Sequence, residues 1–300
     1  MQAPNKILMR RPVNFSFNEE TAGSNSFQNL SNSENIGIKV IKEWENAKMN
    51  IESYGITVLS EFPDNSEFTP DEIFPNNWFS VQPKGELIIY PMEAKNRRLE
   101  KNPFVLSWLK ENLPITNTLD LSSFENENKF LEGTGSIVFD HDNKNAYCCE
   151  STRSNIFLFE QLCDYLDYKP VSFLSLDLAG LPVYHTNVMM SVGTNYIVIC
   201  LESIENIMER SMIKSIIQNS RKTLIDISLK QMNSFCGNII ELSNNQGELY
   251  TIMSSKSFEN FTENQKDIIE NKSRIISCEI PTIENIGGGG IRCMIAGLHL

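Results

Sequence analysis

Gly287-Gly288-Gly289-Gly290-Ile291-Arg292-Cys293-Met294 leads four successive glycines into a single cysteine close to the end of the sequence. Such a run has a large backbone entropy cost, so a fold keeps it where the chain turns sharply or lies close against a ligand. The apolar residues 294–298 that follow read as a buried strand, which argues against a flexible tail. Cys293 is therefore the first candidate for chemistry.

At 300 residues and 41% hydrophobic, the chain can bury a substantial core, as one large domain or two ordinary ones. Its net charge of −12 disfavours nucleic acid or an anionic membrane as partner and leaves room for a small cationic or zwitterionic substrate. The first residues lack the apolar core of a signal peptide, and no apolar run approaches the ~20 residues of a membrane span. A cytoplasmic protein is expected. Seven cysteines form no staple-like pattern and are expected to be reduced, with Cys163 and Cys200 as small core residues. No C-x-x-C pair or metal-ligand spacing involves His141, His185 or His299, so no metal and no cofactor is called for.

Short extended runs alternate with amphipathic stretches. Residues 7–9, 56–59, 87–90, 136–139, 196–200 and 249–253 read as strands by length and β-branched content. Residues 154–166, with Ser154 as N-cap, 207–216 and 258–269 carry apolar positions at helical spacing. Two strands and a helix recur roughly every 50 to 60 residues, which points to a repeated α+β module. The Asn/Ser-rich stretch 23–35 reads as a long surface loop.

Two further groups carry chemistry. Glu132, in Leu131-Glu132-Gly133-Thr134-Gly135-Ser136, stands at the mouth of an apolar strand, although an ordinary exposed turn carboxylate has the same local pattern. His185, in a strand-like run over 182–190, is the group there able to exchange a proton near neutrality, and a satisfied half-buried histidine is its plainer reading. Thiol, imidazole and carboxylate together are what covalent attack on an electron-poor carbon needs.

The order Pro70-Asp71, Phe74-Pro75-Asn76-Asn77, Glu132-Gly133, His185, then Arg292-Cys293-Met294 resembles the guanidino-group-modifying enzymes of the pentein superfamily, over the whole chain. These include arginine deiminase, dimethylarginine dimethylaminohydrolase and the amidinotransferases. The Gly-x-Arg-Cys-Met terminus is similar to arginine deiminase, and residues 90–100 are similar to the dimethylarginine enzyme. The opening residues 10–28 look like the arginine-deiminase-related citrulline-utilisation hydrolases.

The resemblance implies an α/β propeller, five ββαβ modules in pseudo-fivefold arrangement around a central active site, and with it a single domain, 1–300. It implies that Cys293 attacks the head-group carbon, that His185 protonates the leaving amine and then activates water, and that Glu132 and Asp71 hold the head group. Arg153, with Arg97 or Arg98 as a second candidate, would grip the substrate carboxylate. A free thiol has a pKa near ~8.5, and Arg292 beside Cys293 would favour the thiolate. The partner is a small amino acid, and a homodimer is compatible with the family.

Departures from the family pattern bear on the substrate. Asn76-Asn77 stands where the dimethylarginine enzyme has a Glu-Asp pair, and Gly135 falls in a segment where arginine deiminase reads Glu-Gly-Gly-Asp. A buried guanidinium needs compensating negative charge, whereas a ureido group needs donors as well as acceptors, and an Asn amide offers both. Citrulline, cleaved to ornithine, carbon dioxide and ammonia, is therefore the expected substrate. An arginine deiminase or dimethylargininase activity is the nearest alternative, an amidinotransferase the next, and an inert pentein binding protein the non-enzyme alternative.

Overall fold

The computed structural model describes residues 1–30, 35–61, 63 and 67–300. The described chain contains five separate three-stranded sheets. Each begins with an antiparallel pair and is completed, after a helix, by a third strand parallel to the second.

The first of these modules pairs Phe79–Gln82 with Glu86–Ile89, crosses through helix Pro103–Asn112 and returns as Asn117–Asp120. Val138–Asp140, Asn145–Cys149, helix Ile156–Leu166 and Lys169–Phe173 make the second. Met190–Val192, Tyr196–Ile199, helix Ile207–Asn219 and Thr223–Asp226 make the third. In the fourth, Ile240–Ser243 and Leu249–Ser254 are followed by helix Glu263–Glu270 and Arg274–Cys278. The fifth is assembled from both ends of the chain: Ala296–Gly297 runs antiparallel to Lys6–Leu8, and helix Ile36–Ser53 leads to the parallel strand Thr57–Leu59. The expected five ββαβ modules are present.

Local chemistry explains the elements. Helix Ile36–Ser53 buries Val40, Trp44, Ala47 and Ile51, a stripe at spacings of three and four that seats it on its sheet. Asn155, one residue later than expected, caps helix Ile156–Leu166 by accepting from the Leu158 N–H. The pattern over 258–269 is two helices, because Phe261 leaves the helical region at φ −68°, ψ 140° and Thr262 starts a new capping box with Gln265.

Residues from the first strand of every module line one axial cavity, which places those strands innermost. Just before these strands the chain coils, and there the sequence expectations shift. Gly133–Ser136 is a helical turn, so the strand expected from 136 begins at Val138. His185 is not inside a strand but caps the turn Thr186–Met189. Ile291–Met294 is a 3₁₀ turn, and the strand expected over 294–298 is reduced to Ala296–Gly297. A strand would alternate its side chains across the sheet, whereas a turn ahead of it projects one toward the axis.

Trp44 sits at the centre of the fifth module's helix contact, and replacing it with Ala should cost about 3–5 kcal/mol by leaving a cavity, read as a lower denaturation midpoint at unchanged denaturant slope.

Candidate active site

Four of the turns that precede innermost strands, together with residues 71–77, converge on one end of the axis. Asp71, Phe74, Asn77, Arg97, Arg153, Tyr184, His185, Gly289 and Cys293 face a common cavity of about 20 Å³, roughly one water. Asn25 and Gln28 close it by donating to carbonyls of the glycine run at 3.2–3.5 Å. Residues 25–28 of the expected loop are thus a wall of the site, and residues 31–34 lie outside the described residues.

The glycines are required by this closeness. Gly288 has φ +64°, and a Cβ on it would stand 2.7 Å from the Asn25 amide. A Cβ on Gly135 would stand 2.4 Å from Asn77 Nδ2 and 2.7 Å from His185 Nδ1.

Glu132 is fully buried, which removes the reading of an exposed turn residue. Its Oε1 accepts from the Glu93 N–H at 3.0 Å and its Oε2 lies 2.8 Å from His185 Nε2 and 3.6 Å from Arg153 Nη1. Burial alone would raise its pKa, but the Arg153 charge and the His185 bond outweigh it and hold the carboxyl at about 2. The carboxylate therefore takes the Nε2–H of His185 and leaves Nδ1 as the nitrogen with a free lone pair. Burial pushes His185 down to about 4 against the opposing pull of Glu132, so the imidazole rests neutral.

Cys293 is buried, and burial pushes its thiol up. Asn238 Nδ2 at 3.2 Å and Asn187 Nδ2 at 3.6 Å point at the sulfur and favour the thiolate. Neither amide was singled out from the sequence as a thiol partner. Asn238 ends the stretch 233–238, whose Asn, Ser and Gly content is that of a loop, and Asn187 lies two residues after His185, so the only sequence signal for either is its neighbourhood. Cys163 and Cys200 are core residues.

The remaining predicted residues divide. Asp71 Oδ2 accepts from Asn18 and Thr21, while Oδ1 is buried without a partner; burial raises this carboxyl and Arg97 opposes the rise. Arg97 spends its fork on Glu100, at 2.8 and 3.1 Å, and on the carbonyls of Asp71 and Phe74. Its Nη1 donates to Asn77 Oδ1 at 2.7 Å, so Asn77 Nδ2 is the free end. Arg153 bonds Ser24 and the Thr21 carbonyl, and its guanidinium lies over the Tyr184 ring. Asn76 is buried with neither amide atom bonded and does not line the cavity. Arg98 is turned away onto the carbonyls of Met92 and Glu93, beside Glu125. Arg292 also points elsewhere: successive residues of the 3₁₀ turn face opposite ways, and its guanidinium reaches the Ile295 carbonyl and the axial cavity.

The sequence model of the family described as N,N dimethylarginine dimethylhydrolase, eukaryotic, matches residues 11–300. The chain belongs to this family. Membership of the dimethylarginine dimethylhydrolase family places it in the pentein superfamily, among hydrolases of guanidino C–N bonds. No curated protein matches it. The N-terminal domain of ArgZ, an arginine dihydrolase from the ornithine-ammonia cycle in cyanobacteria, superposes with a TM-score of 0.75 at 17% identity, over 98% of this chain and 99% of that one. Against full-length ArgZ the chain spans 40% of the relative. A dimethylarginine dimethylaminohydrolase, trapped as an adduct with S-methyl-L-thiocitrulline, gives 0.64 at 14% identity over 98% and 99% of the two chains. At these identities the likeness is one of fold.

Two measurements follow from the geometry of this family member. His185 binds a proton near 6.5 when unfolded and near 4 when folded, so its contribution falls as pH drops through that window; Glu132, 4.5 unfolded and about 2 folded, adds a further loss below 4.5. Urea midpoints should decline from pH 6.5 to 4, and His185→Gln should flatten that limb. Asn238→Ala should slow iodoacetamide alkylation of Cys293 at neutral pH about tenfold and shift its pH profile upward.

Proposed function

We propose that the protein is a cysteine hydrolase that opens the ureido group of citrulline. The observation that carries this reading is the orientation of Asn77. Because Arg97 donates to Oδ1, the amide presents Nδ2, a donor, toward His185 and Gly135. A guanidinium has only donors to offer such a group, whereas a ureido carbonyl oxygen accepts from it.

Cys293 adds to the ureido carbon as its thiol proton passes to His185 Nδ1, and the tetrahedral adduct collapses with cleavage of the bond to the ornithine nitrogen, which takes that proton from Nδ1. His185 Nδ1 then takes a proton from water, whose oxygen attacks the S-carbamoyl carbon; the thiol leaves, and carbamate breaks down to carbon dioxide and ammonia. Glu132, its oxygens already engaged, orients His185 and stabilises it when charged. The unpartnered Oδ1 of Asp71 accepts a substrate N–H, and Arg153 is the cation for the α-carboxylate. An amino acid does not fit in 20 Å³, so Asn25 and Gln28 must lift from the glycine run for the substrate to enter. The chemistry runs on these side chains without a cofactor.

Asp71 and Glu132 keep two carboxyl groups at the site, and this favours a second reading, an arginine dihydrolase activity like the one named for ArgZ: arginine itself is taken through both hydrolyses to ornithine, carbon dioxide and two ammonia.

Steady-state assays separate the readings. Citrulline cleavage predicts a higher kcat/KM for ornithine from citrulline than for ammonia from arginine, and Asn77→Asp should reverse that preference at least tenfold. Release of ornithine and two ammonia from arginine without free citrulline supports the second reading. Rapid arginine turnover that stops at citrulline overturns both.

A further inference from the structure

The end of the axis remote from Cys293 carries a cavity of about 60 Å³, lined by polar and apolar groups alike, that the chemistry above does not use. Arg292 enters it with one hydrogen bond, Nη1 to the Ile295 carbonyl, and no carboxylate lies within 4 Å of its guanidinium among the described residues. Ser191 Oγ and Gln82 Oε1, both more than nine-tenths buried and both lining the cavity, have no hydrogen-bond partner. His141 and His299 line it with ring centroids 4.1 Å apart and planes tilted by 47°, their Nδ1 atoms engaged by Tyr168 and the Met1 carbonyl. Glu241 also lines it with Oε1 unpaired; its other oxygen accepts from the Thr194 N–H, and burial raises this carboxyl against the pull of Thr194 and Lys222. It does not neutralise Arg292.

A half-buried guanidinium without a counter-ion, lining one cavity together with an orphan hydroxyl and an orphan carbonyl oxygen, lacks its ligand. We propose that this cavity is a second binding site, for a small carboxylate-type anion seated on Arg292. Two of the anion's oxygens accept from the guanidinium and from the Ser191 hydroxyl. Gln82 Oε1 needs a donor in return, which hydrogen carbonate has and formate lacks. The site is joined to the catalytic end through the turns themselves: Arg292 precedes Cys293, Thr134 precedes Gly135, and Ile239 follows Asn238, and each of these three lines the axial cavity.

The test is NMR titration of the full chain at pH 8, following the ring protons of His141 and His299 while sodium hydrogen carbonate, sodium formate or sodium chloride is added at constant ionic strength. Saturable shifts with one hydrogen carbonate per chain are expected, with formate binding several-fold more weakly and chloride without effect. Arg292→Gln should abolish the shifts, Ser191→Ala should weaken binding about three- to tenfold, and Arg153→Gln should leave it unchanged. Non-saturable shifts, equal shifts with chloride, binding retained in Arg292→Gln, or binding lost in Arg153→Gln would each overturn the proposal. Circular dichroism checks folding; should Arg292→Gln unfold, Ser191→Ala and Gln82→Leu decide, since unchanged affinity in both is incompatible with the site.

Discussion

The pairing of Ile7 with Gly297 and Leu8 with Ala296 closes the ring on which everything else depends. Four modules are contiguous in sequence and pair their strands among themselves. The fifth exists only when the last strand finds the first, and that strand is two residues long. Its stability comes from the apolar cluster behind it, where Ile7, Met9, Trp44, Ile51, Cys293, Met294 and Ile295 pack together. Because the cysteine turn immediately precedes this strand, ring closure and nucleophile placement are one event.

The site shows how little of a buried polar constellation is left for a substrate. Glu132 is engaged by Glu93, His185 and Arg153; Arg97 is divided among Glu100, Asn77 and two carbonyls; Arg153 is anchored by Ser24 and Thr21. Such saturation is expected where an unpaired polar atom costs about 1–3 kcal/mol. The exceptions, Asp71 Oδ1 and Asn77 Nδ2, then carry the information about what binds: one acceptor and one donor. The resting state of the pair also follows from burial. With His185 held near 4 and the thiol pushed up, both are neutral, so charge separation waits for the substrate or for Asn187 and Asn238 to stabilise the sulfur.

Much of the architecture is legible along the chain because its modules are local. Hairpin, helix and third strand follow one another, so β-branched runs such as residues 196–199 and apolar stripes such as Leu158, Leu162 and Leu166 announce them directly. Cys293, His185 and Glu132 stand out for their residue types and neighbours, and Asp71 only through the family resemblance of the segment that holds it. The helical turns at Gly133–Ser136, Thr186–Met189 and Ile291–Met294 do not, since short apolar segments beside glycine read equally well as strand ends.

The order of the modules and the identity of the groups with reactive chemistry were determined by sequence, because local propensity and side-chain type do not depend on partners. Which arginine faces which cavity was decided only in the folded chain. Arg292 and Cys293 are neighbours on one tight turn and point to opposite ends of the axis, Arg98 turns to carbonyls near its own helix, and Arg97 is drawn inward by Glu100 to set the Asn77 amide. A guanidinium on a flexible stem goes where carboxylates and carbonyls converge, and that convergence exists only once distant segments have packed.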